Sequence, residues 1–231
     1  MRILAISTST EYCSAAVRIG AELLERELPP ERAAGERILE LVDGLLAQAG
    51  IGLTGLDAIA FGRGPGAFTG VRLAASVTQG LAAAADVPVI PISDLQAVAQ
   101  QAFSAAHVPD RLLVCQDARM SEVYWGWFAL CEGIAAPFSE ERVSPAAKVI
   151  ALCSSGELRR CGGAGSGFGA YPVLLDLFKE APEQVWPEIH PRAREIALLA
   201  AHRGLSGALK AAEAQPVYVR DQVAVPTASA T

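Results

Sequence analysis

The sequence predicts a two-lobed α/β protein, and three observations carry this prediction. The first half of the chain alternates short apolar runs with helical patterns in the order βββαβαβα. A second round of strands and helices begins after Pro109-Asp110 and has a glycine-rich turn of its own. The 231 residues are 52% apolar and 19% charged, which is ample for a sizeable core. We expect one lobe over 1–107, a second over 108–225, and a disordered tail over 226–231.

The N-terminal lobe is predicted to open with three consecutive strands. Arg2–Ser7 is a short apolar run, and Cys13–Ile19 and Glu22–Leu28 alternate enough to form the next two strands. A polar turn, Ser7-Thr8-Ser9-Thr10, follows the first strand, and Pro29-Pro30 ends the third.

A strong amphipathic helix is predicted from Ala34 to Ala49. Its apolar residues recur at i, i+3, i+4, i+7 and i+8, and Gly50 is suited to the residue after its C-terminus. The stripe consists of Ile38, Leu41, Val42, Leu45 and Leu46.

The stretch around which this lobe is organised is a strand, a glycine turn and a helix between 58 and 85. The strand is Ala58–Phe61, the glycines are Gly62, Gly64 and Gly66, and Thr69 is a plausible N-cap. Glycines at this density allow positive φ and a close approach of the backbone to another surface. The helix also carries a face of small side chains: Ala74, Ala75, Ser76, Gly80 and Ala82 to Ala85.

Three interpretations of this turn remain open. Free amides at a helix N-terminus can bind phosphate, and Gly62–Ala67 fits the loose dinucleotide pattern G-x-G-x-x-G/A. Pro65 removes one donor, and no Gly-Lys-Ser/Thr follows, which excludes a P-loop. The turn can equally be a tight connection without a ligand. The small-residue face of the helix can instead pack closely against another element, within the protein or across a subunit boundary.

Further strands and helices complete the two predicted lobes. The first lobe should end with a strand and a helix that Ser93 caps, and the second should contain two long strands before its glycine turn. The predicted elements are strand Val87–Ile92, helix Ser93–Ala105, strands Arg111–Gln116 and Glu122–Leu130, a glycine turn from Gly162 to Gly169, helices Pro172–Lys179 and Arg192–Leu205, and an extended piece Pro216–Val219.

Composition excludes several classes of function. The formal charge is −6 and no Lys/Arg cluster occurs, which argues against strong binding of nucleic acid by this chain alone. No run of about eighteen apolar residues predicts a membrane span, and the N-terminus is too soon polar for a signal peptide. The five cysteines are odd in number and form no C-x-x-C, so we expect reduced thiols in a cytoplasmic protein.

The residues alone offer no visible catalytic set. The three histidines do not lie within a helical turn of one another, so common helical metal motifs are absent, and we expect no metal. No G-x-S-x-G elbow occurs. Asp94 and Asp117 lack a second carboxylate at a telling spacing and are interpreted as turn or capping residues, and Cys115 as core packing. The Ser7–Thr10 turn can bind phosphate, but an ordinary polar turn is favoured.

Four stretches resemble one known family, that of the TsaB (YeaZ) proteins. The run Phe61–Arg72, FGRGPGAFTGVR, resembles the family signature, and Arg2–Thr10 resembles its N-terminus. Pro216–Ala224 is similar to its C-terminal Pro-x-Tyr-x-Arg segment, and the glycine turn Gly163–Gly169 falls where the family has one. The resemblance therefore spans nearly the whole chain.

The resemblance implies a fold and a role. The fold is the two-lobed actin, sugar-kinase and heat-shock ATPase type, which is ribonuclease H-like, with a mixed sheet and flanking helices in each lobe. The role is that of a non-catalytic partner in making threonylcarbamoyladenosine on tRNA next to the anticodon. The implied partners are a catalytic, metal-binding TsaD-type paralogue, a TsaE-type ATPase and, for the chain alone, a second copy of itself. No cofactor is expected.

One position departs from the family pattern. The family usually has Asp where Ser7 stands, in the first phosphate-facing turn, and a carboxylate there can hold Mg²⁺ through water. Ser7 cannot supply that charge, so at most weak nucleotide binding is expected. The residues expected to contribute to it are Ser7, Thr8, Gly163 and Gly165.

The implied partnership predicts an interface on two helices. The stripe on Ala34–Ala49 and the small-residue face of Thr69–Ala85 form a two-helix layer, which a related subunit would complete as a four-helix seam. Alternatively, both stripes simply face their own sheet. The expected interface residues are Ile38, Leu41, Val42, Leu45, Thr69, Gly70, Arg72, Leu73, Ser76 and Val77.

Three other functions compete with this expectation. An active ATP-dependent kinase or hydrolase of the same fold needs a carboxylate in the first turn, which Ser7 does not provide. A metallopeptidase needs metal ligands that the sequence lacks. A dinucleotide-dependent oxidoreductase rests only on the loose glycine pattern.

Overall fold

The first five strands form one mixed sheet in the order β3-β2-β1-β4-β5. The computed structural model describes residues 1–30, 37–104, 109–153, 161–180 and 184–219. The first three strands are an antiparallel meander, and the fourth and fifth add to β1 in parallel. They are β1 (Arg2–Ser7), β2 (Cys13–Ile19), β3 (Glu22–Leu28), β4 (Ala58–Gly62) and β5 (Val89–Ile92). The three predicted opening strands and the two predicted strands that follow are therefore confirmed.

Two helices, both predicted from the sequence, cover one face of this sheet. They are α1 (Ile38–Ala49) and α2 (Phe68–Ala85), and their inward side chains share one core with β1, β2 and β4. Gly50 ends α1 in the left-handed conformation, with φ of 68°. The first residues of the predicted helix, 34–36, lie outside the described residues.

The second sheet has the order β11-β10-β6-β7-β8, and β9 also pairs with β7. Its strands are β6 (Arg111–Asp117), β7 (Glu122–Cys131), β8 (Ile134–Pro137), β9 (Arg142–Pro145), β10 (Gly162–Ala164) and β11 (Val185–Trp186). The helices α4 (Ala146–Leu152) and α5 (Gly167–Ala170) and a 3₁₀ segment over Pro172–Phe178 accompany it. Trp125 and Trp127 of the aromatic strand pack into the core beside α4.

The last helix, α6 (Ala193–Arg203), returns to the first sheet. Its residues Ile196, Ala197 and Ala200 pack against Ile3 and Ala5 on the sheet face opposite α1 and α2. The remaining helix, α3 (Asp94–Phe103), contacts α6 on one side and β6, β7 and β8 on the other. By sequence, α6 belongs to the expected second lobe, 108–225. By packing it belongs to the N-terminal sheet, where it covers an apolar face.

One local prediction needs correction. Thr69 is not the N-cap of α2: the helix begins at Phe68, Ala67 occupies the cap position, and no side chain caps it. Pro216–Val219, predicted as an extended piece, belongs to no strand of either sheet, and the Val217 amide donates to the Arg63 carbonyl oxygen at 2.8 Å. The predicted disordered tail, 226–231, lies outside the described residues.

Two mixed sheets with flanking helices confirm the predicted α/β class. Among the helices of the described residues, none combines the length and apolar character that a membrane crossing requires.

Candidate functional site

The glycine turn after β4 packs directly on the polar turn after β1. A Cβ at Gly66 would lie 2.7 Å from the Ser9 carbonyl oxygen, and one at Gly70 would lie 3.0 Å from the Thr8 carbonyl carbon. The Ala67 amide donates to the Ser9 carbonyl oxygen at 2.8 Å. These two glycines are therefore explained by a close approach of two backbones, which no larger residue allows.

The hydroxyls of the first turn are all engaged inside the chain. Ser7 donates to the Pro191 carbonyl oxygen at 3.2 Å, and Thr8 donates to the Gly70 carbonyl oxygen at 2.7 Å. Ser9 donates to Asp94 Oδ1 at 2.5 Å. All three serine and threonine side chains are buried. Expected nucleotide contacts from Ser7 and Thr8 would thus require breaking these hydrogen bonds.

Asp94, the first residue of α3, joins this cluster as a buried acid. Its Oδ2 accepts from the Gly64 amide at 2.5 Å, and its own amide donates to the Gly64 carbonyl oxygen at 3.1 Å. Burial raises the pKa of Asp94 to about 6, while Ser9, Gly64 and Arg63 act in the opposite direction. From the sequence alone we expect only a turn or capping role for this acid, because its partners are distant along the chain.

The second glycine turn is also explained by packing. Gly165 has a φ of 107°, and a Cβ there would lie 2.5 Å from the Cys115 carbonyl oxygen. A Cβ at Gly163 would lie 2.6 Å from the Phe168 ring. Neither glycine therefore needs a phosphate to account for it.

A cleft of about 820 Å³ lies where the two turns and the C-terminal extended segment meet the second sheet. Asp117, at the end of β6, accepts from the Tyr171 hydroxyl at 2.8 Å and pairs with Arg119 at 3.0 Å. The Asp117 interaction raises the pKa of the Tyr171 hydroxyl. The Gln116 side-chain nitrogen is buried there without a hydrogen-bond partner within the described part of the chain.

Across the described ranges, no cluster of three His, Cys, Asp or Glu is placed to hold a metal ion.

The expected interface residues fall into two groups. Ile38, Leu41, Val42 and Leu45 are buried against their own sheet, so they present no free surface in the single chain. On α2, Thr69 and Ser76 are exposed. Gly70, Arg72, Leu73 and Val77 are half-buried.

An exposed aromatic pair borders the N-terminal end of α2 and was not among the expected residues. Phe68 is 60% exposed and Tyr218 is 50% exposed. The Arg72 guanidinium lies 3.2 Å from the centre of the Phe68 ring and 5.0 Å from that of Tyr218. Both aromatics lie within the stretches that resemble the family, which was the only sequence signal for them.

Known proteins match this chain over nearly its full length. The family model described as "TsaD: tRNA N6-adenosine threonylcarbamoyltransferase" matches residues 29–226. The tRNA threonylcarbamoyladenosine biosynthesis protein TsaB of Escherichia coli K12 is 38% identical, with 97% of this chain and 96% of that protein covered. TsaB of Haemophilus influenzae is 35% identical, with coverage of 96% and 95%.

Two solved structures that resemble this chain point to the same family. YeaZ from Pseudomonas aeruginosa superposes with a TM-score of 0.83 at 38% identity, covering 94% of this chain and 99% of that one. A second structure, described as an uncharacterized protein with similarity to peptidase YeaZ from Pseudomonas aeruginosa, gives 0.86 at 37% identity, covering 95% and 99%. The expected fold, with two mixed sheets and flanking helices, is confirmed. On these matches, the chain belongs to the TsaB (YeaZ) family.

Proposed function

We propose that this chain is a partner subunit in the biosynthesis of threonylcarbamoyladenosine on tRNA, and that it supports a separate catalytic TsaD-type subunit. The observation that carries the proposal is the near full-length similarity to two proteins named for that pathway, at 38% and 35% identity. The family model carries the name of the transferase itself, which is consistent with a chain related to the catalytic subunit.

The first turn supports a partner role over a catalytic one. Ser7 stands where the family usually has an acid, and its hydroxyl is already bonded to the Pro191 carbonyl oxygen. Thr8 and Ser9 likewise donate within the chain. The start of α2 packs against this turn, and the Ala67 amide donates to the Ser9 carbonyl oxygen.

The outward face of α2 supports helix-to-helix binding. Val71, Ala74, Ala75, Thr78 and Ala82 are buried against the sheet, which leaves Ser76, Gly80, Ala83 and Ala84 exposed on the opposite side. Space is open above Gly80, where a Cβ would meet nothing within 4 Å. Such small side chains let a second helix approach closely and pack in a four-helix seam. Because the stripe of α1 is buried, the seam would use its outward residues, of which Leu39 is exposed.

Reconstitution tests this function. The chain is mixed with the TsaD-type and TsaE-type subunits, tRNA, ATP and the threonylcarbamoyl donor, and nucleosides are counted by mass spectrometry. We expect co-purification with the catalytic subunit and modification that depends on the chain. Full modification without the chain would overturn the proposal.

The lining of the cleft supports one alternative function, that of an ATP-dependent kinase or hydrolase. Glu11, Asp117 and Ser166 line it, and carboxylates beside hydroxyls are suited to a hydrated Mg²⁺ and phosphate. Measurement of Mg-ATP turnover by the purified chain separates the two functions. We expect weak or no hydrolysis; steady turnover that disappears in Asp117→Asn would favour the enzyme.

A further inference from the structure

We propose that Asp94 is the positioning residue that fixes the α2 helix for partner binding. This role rests on the proposed function, since α2 matters for binding only if its outward face meets a partner. Asp94 does not reach that face. It acts through the two turns that hold the N-terminal end of α2.

Asp94 clamps the glycine turn in both directions. Its carboxylate accepts from the Gly64 amide at 2.5 Å, and its amide donates to the Gly64 carbonyl oxygen at 3.1 Å. Gly62 has no room for a side chain because the Asp94 carboxylate occupies the space where its Cβ would lie. The residue four positions ahead of α2 is therefore held at two atoms by the first residue of α3.

The same carboxylate also holds the turn after β1. Ser9 donates to its second oxygen at 2.5 Å, from a position 85 residues away in the chain. The Ser9 carbonyl oxygen in turn accepts from the Ala67 amide, one residue before α2. One buried acid thus joins three segments that are separate in sequence, and two of them meet at the first turn of α2.

The surroundings hold the Asp94 side chain in one position. Asp94 is fully buried, and it lies in the first turn of α3, where the helix dipole favours negative charge. The charged groups that face it are Arg63, on the glycine turn, and Glu141, which precedes β9. Arg63 and Glu141 pair with each other at 3.0 Å, and their charges shift the pKa of Asp94 in opposite directions.

Asp94→Ala removes the clamp, whereas Asp94→Asn keeps it. The Asn carbonyl oxygen can accept from the Gly64 amide, and its NH₂ group can donate to the Ser9 hydroxyl. Ser9→Ala removes only one of the bonds. Ser93→Ala is the matched control. Ser93 caps the same helix by accepting from the Gln96 amide and donates to Glu141, but it does not bond Gly64 or Ser9.

The test combines amide hydrogen exchange with binding to the catalytic subunit. We expect Asp94→Ala to speed exchange over residues 64–71 by at least about tenfold and to weaken binding by a similar factor, since bonds to a buried charge are lost. Exchange within α6 should remain unchanged. Asp94→Asn should show wild-type exchange over residues 64–71 and wild-type binding. Ser9→Ala should give values between those of wild type and Asp94→Ala. Ser93→Ala should leave both the exchange over 64–71 and the binding near wild type.

Each other outcome overturns the role. Unchanged exchange over 64–71 in Asp94→Ala means that the clamp does not hold the turn. Faster exchange with unchanged binding means that the position of α2 does not matter to the partner. Equal effects of Ser93→Ala would assign both changes to the Ser93 hydrogen bonds, not to the Asp94 carboxylate. Ser76→Arg, on the outward face, separates this from a failure of the proposed function: if wild type binds and Ser76→Arg does not, the interface stands whatever Asp94 does. Lack of binding by wild type would overturn both.

Discussion

The packing of α2 on the first turn predicts opposite effects for the same substitution at two glycines of one helix. At Gly70 a Cβ would lie 3.0 Å from the Thr8 carbonyl carbon and 3.3 Å from Ser9 Cα, and closer still to the Thr8 carbonyl oxygen. These neighbours are backbone atoms, which cannot rotate away as a side chain would. Gly70→Ala must therefore push the start of α2 from the turn.

The magnitude follows from what the shift breaks. Overpacking costs about 1–3 kcal/mol, and two hydrogen bonds at about 1 kcal/mol each are strained with it, those from Thr8 to Gly70 and from Ala67 to Ser9. The sum is on the order of 3–5 kcal/mol. For a protein of this size, about 2–4 °C of melting temperature is lost per kcal/mol, so we expect a fall of roughly 6–20 °C.

Gly80→Ala is the internal control for this prediction. Nothing lies within 4 Å of its added Cβ, and Ala is favoured over Gly inside a helix by about 1 kcal/mol. Its melting temperature, measured by circular dichroism beside that of Gly70→Ala, should equal or slightly exceed that of wild type. If Gly70→Ala has the same melting temperature as wild type, the close packing of α2 on the Thr8–Ser9 backbone is refuted.

Three further predictions concern the core, the buried acid and tRNA. Leu41→Asp places an unpaired charge in the α1 core, where Leu41 is 7% exposed, so we expect loss of the cooperative melt, whereas Ser76→Asp should keep the melt; equal melts would contradict the core assignment. Because the folded-state pKa of Asp94 is raised to about 6, its contribution to stability is full below the unfolded pKa near 4 and is lost as pH rises through 6. Between pH 4 and pH 7, the free energy of unfolding of Asp94→Asn should therefore rise by about 3 kcal/mol relative to that of wild type. Chemical denaturation at several pH values measures both; if the two free energies change with pH in parallel, this titration of Asp94 is excluded. Given the net charge of −6, a gel shift at about 150 mM salt should give no sub-micromolar tRNA binding by the isolated chain; a tight complex would contradict the electrostatic argument.

The strongly periodic segments could be predicted from the sequence, and the short or non-local ones could not. The meander, α1 and the aromatic strand β7 agree with their patterns to within a few residues over the described part. The strands β8, β9 and β11 are four residues or fewer, too short for a period to be visible. The return of α6 to the first sheet depends on packing between Ile196 and Ile3, which no local pattern encodes.

The candidate site shows the same division. The glycine run was recognisable as a close-approach turn, but the surface it approaches, the Thr8–Ser9 backbone, was not. Helical periodicity identified Leu41 and Leu45 as one apolar stripe, yet a stripe alone does not distinguish a core from a subunit interface. Asp94 carried no motif, because its partners Ser9 and Gly64 are 85 and 30 residues away.

The partner role is tested most directly by titrating this chain into a reaction that contains a fixed amount of the TsaD-type subunit, the TsaE-type subunit and tRNA, while threonylcarbamoyladenosine per tRNA is counted. We predict that modification rises with the added chain and levels off once its concentration equals that of the catalytic subunit, and that Ser76→Arg, though folded, does not support it. Modification that is complete before any chain is added, or that Ser76→Arg supports as well as wild type, would contradict the role and its interface on α2.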